Sequence, residues 1–73
     1  MVWFKFEGIY GNNYWIRSDA ITYFGYNQKE NWSVVADGEQ SIKVKGNIAG
    51  MLAKELTRLT KSTIVEIKGE NNE

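Results

Sequence analysis

A chain of 73 residues suffices for one domain and no more. It holds no cysteine and no histidine, so neither a disulfide nor a zinc site of the usual kinds can brace it. Nine basic residues balance nine acidic ones, and that neutrality argues against a general nucleic-acid coat or a membrane-surface binder.

No apolar run approaches the ~20 residues of a membrane span. The start, Met1-Val2-Trp3-Phe4-Lys5, has no secretory-leader pattern, so the expectation is a cytoplasmic protein with no membrane contact. Residues 1–68 read as a single domain and 69–73 as a polar tail. A domain this short buries only about 60% of the surface of its unfolded chain. Its core must hold by packing alone or be completed by a partner.

The first predicted strand is set by Val2, Phe4 and Phe6 alternating with Trp3, Lys5 and Glu7. Gly8 suggests a bulge. Gly11, Asn12 and Asn13 suggest a turn, and Tyr14 to Arg17 the return strand of a hairpin. Ser18 and Asp19 suit a turn or a single helical turn. Ala20 to Tyr26 resumes extended character, and Asn27 to Asn31 reads as a loop. Trp32 to Ala36 and Gln40 to Lys45 flank Asp37-Gly38, a strong hairpin signal, with Ile42 and Val44 expected inside.

At Gly46 the period changes. Asn47 reads as an N-cap. Ile48, Met51, Leu52, Leu56 and Leu59 form one stripe of an amphipathic helix. Gly50 costs roughly 1 kcal/mol relative to alanine, which a close approach to the sheet would explain. Thr63 to Lys68 is β-branched and alternating and predicts a last strand. The expected fold is α+β, a small antiparallel sheet of about five strands with one α-helix packed on it, in the order β-β-β-β-β-α-β.

Catalytic chemistry finds little support in these residues. The carboxylates fall mostly in predicted turns, on outward strand positions or in the tail, where solvation keeps them ordinary. Ser18, Ser33, Ser41 and Ser62 have no histidine to activate them. Gly46-Asn47-Ile48-Ala49-Gly50 follows a strand and opens a helix, but it matches neither phosphate-binding fingerprint. The expectation is a non-enzyme without cofactor or metal.

The aromatics are the unusual feature. All ten lie in the first 32 residues, more than one small core can enclose. Tyrosine and tryptophan are enriched at interface hot spots. Trp3, Tyr14 and Trp15, with Tyr26 beside them, are therefore the candidate protein-binding residues. A nucleic-acid alternative rests on Lys43, Lys45, Lys54 and Arg58, since rings on a sheet can also stack bases. A homodimer through an edge strand or exposed rings is a third expectation.

Trp15-Ile16-Arg17-Ser18-Asp19-Ala20-Ile21, then Trp32 to Asp37-Gly38, then Ile42, Val44 and Lys45 before a helix, resemble the small flagellar FlbD/SwrD-type proteins. Small phage-encoded proteins share the layout. The resemblance spans residues 14 to 59, lacks the family's proline at the turn, and implies a non-enzymatic accessory protein without assigning a functional residue. The expected function is a protein-binding module, a phage or mobile-element accessory protein that docks on or inhibits a host protein.

Overall fold

Alternation and turn chemistry build the strands in chain order. The computed structural model describes residues 2–69. Strand β1 (Trp3–Glu7) pairs antiparallel with β2 (Asn13–Arg17), placing Phe4 opposite Ile16 and Phe6 opposite Tyr14 on one face. The turn between them needs Gly11 at φ 88°, where a side chain would be strained. Ser18–Ala20 then makes one 3-10 turn. Strand β3 is Tyr23–Asn27, so the extended stretch expected from Ala20 starts later, after that turn has taken Ala20. Strands β4 (Trp32–Ala36) and β5 (Ser41–Lys45) complete an antiparallel meander in the order β3-β4-β5. At the β4–β5 turn the Asp37 carboxylate accepts the backbone N–H groups of Glu39 and Gln40 at 3.1 Å each.

The two sheets meet at Gly8, which was expected to mark a bulge. It instead bridges to Val44 of β5, and the Ile9 N–H donates to the Lys43 carbonyl at 3.1 Å. Glu7 and Lys45 form an exposed ion pair across the same junction at 3.1 Å. A Cβ on Gly8 would lie 2.8 Å from the Tyr14 ring and 3.3 Å from the Lys43 carbonyl oxygen. Gly8→Ala is therefore expected to destabilise by about 1–2 kcal/mol, the cost of overpacking a tight contact. A urea midpoint unchanged from the native chain would contradict that close approach.

Helix α1 (Ala49–Thr60) covers the inner side of both sheets. The buried core joins Phe6, Ile16, Val35, Ile42, Val44 and Leu52, so every strand except β3 contributes a buried hydrophobic residue and β3 supplies half-buried Phe24. Leu52 is the helix's one buried residue, with Ile48 and Leu56 packed at its flanks.

Four details of the helical region differ from expectation. Met51 is 68% exposed and lies off the buried stripe, because the helix seats on a narrower line than its apolar residues span. The N-cap is Ile48, and Asn47 instead reaches the Ala49 N–H at 3.3 Å. Gly50 faces open space, so no sheet contact accounts for it. Thr63 to Lys68 forms no strand: these residues are exposed and pair with no neighbour, and β-propensity alone does not hold a strand. The observed order thus ends at the helix. Of the tail assigned to 69–73, Gly69 is exposed and the rest lies outside the described residues.

Candidate functional site

The alternation that turns Phe4 and Phe6 inward turns Trp3, Lys5 and Glu7 outward on β1, with Asn13, Trp15 and Arg17 outward on β2. Trp3 is 59% exposed and Trp15 is 58% exposed. Trp3 pairs with Arg17 and Lys5 with Trp15, so the two indoles are diagonal neighbours, within reach of one another for large side chains. Lys5 Nζ lies 5.8 Å from the Trp15 ring centroid, near the limit of a cation–π contact.

Beside them runs a shallow depression of about 250 Å³. Trp3, Tyr14, Trp15 and Arg17 line it together with Ala20, Asp37 and Gln40. Residues from both faces of β2 line it, so it follows that strand's unpaired edge. Trp3, Tyr14 and Trp15 are thus brought to one place, though Tyr14 itself points inward and is half-buried against the core. Tyr26 is not part of it. Its ring lies on the inner side of β3, and its hydroxyl donates to Asn31 Oδ1 at 2.8 Å.

The four basic candidates divide. Lys43 and Lys45 project outward from β5, and Lys43 Nζ sits 4.8 Å over the Trp32 ring. Lys54 and Arg58 lie on the helix, across the core from that face, and Arg58 is tied to Glu55 at 3.1 Å. Basic and aromatic residues therefore share a surface for Lys5, Lys43 and Lys45, although the two groups sit in different halves of the sequence.

No protein-family model matches this chain, and no curated protein or solved structure is significantly similar to it.

Two exposed rings escaped the sequence reading. Tyr10, at the tip of the first turn, and Tyr23, on the outer face of β3, are both exposed. Neither alternates cleanly with a buried partner, because Gly8 and the 3-10 turn break the period just before them.

Gln40 and Glu39 backbone N–H groups hold the Asp37 carboxyl below its ordinary range, and the Arg58 hydrogen bond does the same for Glu55. A general acid needs a shift in the opposite direction. Among the described residues, no group of three or more acidic side chains is placed to hold a metal ion, and no helix is long and apolar enough to cross a membrane.

Proposed function

We propose that this chain is a small non-enzymatic protein-docking module whose contact surface is the outer face of β1–β2 around Trp3 and Trp15. The observation that carries this reading is the pair of tryptophans, each more than half exposed and adjacent beside an unpaired strand edge. The core is closed without them, so the fold does not require indole at either position. Tryptophan brings large area at low entropy cost, which makes it a common anchor in interfaces. The Arg17–Asp19 pair and the Asp37 turn supply a polar rim. Small size and the resemblance in sequence layout to accessory proteins support a phage or mobile-element product that docks on, and inhibits, a cytoplasmic host protein.

Trp3→Ala and Trp15→Ala are each expected to weaken partner binding about 30-fold or more, equivalent to roughly 2 kcal/mol, with the circular dichroism spectrum unchanged. The partner is captured from nuclease-treated bacterial lysate on the tagged chain, and the purified pair is then titrated. Native affinity in both variants would reject this surface.

One observation favours a second reading. Lys43 stacked on Trp32 resembles a stacking platform with a phosphate contact beside it, and Lys45 shares that face. A single-stranded nucleic-acid binder would show affinity for a labelled oligonucleotide that falls steeply with salt. Affinity absent at low salt would end that reading.

A further inference from the structure

The sequence between 63 and 68 has the pattern of a strand, yet in the single chain it pairs with nothing. Its alternation puts Thr63, Val65 and Ile67 on one face, and Glu66 and Lys68 on the other with Ile64. Val65 is 76% exposed and Ile67 is 88% exposed, so the apolar face meets solvent. Three consecutive β-branched residues in open water are a cost that a neighbouring strand would remove.

An acceptor exists on the same chain. Strand β3 lies at the outside of the β3-β4-β5 sheet, so alternate backbone N–H and C=O groups along it face away from β4. Soluble proteins usually guard such an edge with charge, proline or a covering element. The Tyr23-Phe24-Gly25-Tyr26-Asn27 edge has no charged residue and no proline. Beside it, between β3 and the helix, lies an apolar groove of about 440 Å³ lined by Phe24, Ala53, Leu56 and Thr57. Within one chain the segment reaches this groove with Ile64 alone, just past the left-handed Lys61 that ends the helix.

We propose that residues 63–68 are a donor strand that pairs along β3 of a second copy of this chain, reciprocally, with Val65 and Ile67 entering the partner copy's groove. Length fits: six residues at ~3.3 Å per residue cover the five of β3. Charge fits as well, since Glu66 and Lys68 cancel and β3 is uncharged, so two copies meet without repulsion. Donor and acceptor are on every copy, so a twofold pair closes both and leaves neither exposed. This proposal does not depend on the tryptophan face.

The test measures mass by light scattering across a wide dilution series for the native chain, Val65→Pro and the Trp3→Ala/Trp15→Ala double variant. The expected result is a native mass twice that of the chain, falling to one on dilution. Val65→Pro should be monomeric throughout and melt cooperatively like the diluted native chain, because proline disrupts the ladder of a segment the single chain does not use. The double tryptophan variant should still dimerise. A native chain that is monomeric at every concentration overturns the proposal, as does a dimer that survives Val65→Pro. In a sample mixing labelled and unlabelled copies, contacts between residues 64–67 of one and 23–27 of the other are expected. Contacts confined to a single copy would place the strand on its own chain and overturn the exchange.

Discussion

Leu52→Ala is expected to lower the unfolding free energy by about 2–4 kcal/mol, the usual range for emptying a buried leucine site. Leu52 is 4% exposed and is the helix's sole buried side chain, inserted among the core residues of both sheets. A helix of 12 residues is marginal in water by itself, so its order depends on this docking. For a chain this size the total stability is roughly 4–11 kcal/mol, so the change removes a large share of it. Urea melts followed by circular dichroism should show both the lower midpoint and an early loss of helical signal. Met51→Ala, one residue earlier but 68% exposed, should stay within about 0.5 kcal/mol of native. Equal effects at the two positions would mean that the helix is seated on a different line.

Ser33→Ala is expected to cost about 2–3 kcal/mol, although only one oxygen is removed. The Ser33 hydroxyl donates to the Gly46 carbonyl at 2.7 Å and accepts the Ile48 N–H at 3.0 Å. It is wholly buried, and it ties the middle of the meander to the turn that launches the helix. Alanine leaves two backbone groups without a partner in a partly dry place. Ser33→Thr, which keeps the hydroxyl, should recover the hydrogen bonds but meet strain from its added methyl in a filled site. Melting temperature for the two variants and the native chain gives the comparison. An alanine variant as stable as native would show that water replaces the hydroxyl at little cost.

Much of this architecture was legible residue by residue. The β4–β5 hairpin followed from Asp37-Gly38 between alternating segments, with Ile42 and Val44 inside as read. The outward aim of Trp3 followed from the inward aim of Phe4 and Phe6. Ser33 was not legible as a structural residue, because Trp32-Ser33-Val34-Val35-Ala36 has apolar side chains in both phases. Only the sheet's packing shows which phase is buried. The post-helix strand failed for a related reason. Thr63 to Lys68 satisfies every local rule, but a strand is a relation between two segments, and within the single chain this one pairs with none. At the candidate site, period two showed the outward aim of Trp3, and Trp15 was read only as flanking the first turn, whereas the convergence of Ala20, Asp37 and Gln40 beside them arises from tertiary geometry.

The junction at Gly8 has a consequence for how the chain reaches this structure. Every pairing between named strands joins neighbours in sequence: β1 with β2, β3 with β4, and β4 with β5. Among the described residues the Gly8–Val44 bridge, with the Ile9–Lys43 hydrogen bond and the Glu7–Lys45 ion pair beside it, links one group to the other across the length between them. Local pairings form with little loop-closure entropy, so both the hairpin and the meander can assemble quickly and in either order. A lone two-stranded hairpin is at best marginally stable in water, and the apolar face of the meander stays open until the hairpin and helix cover it. Closure at Gly8, with the helix settling over it, is the step at which two transient pieces begin to melt and form as one.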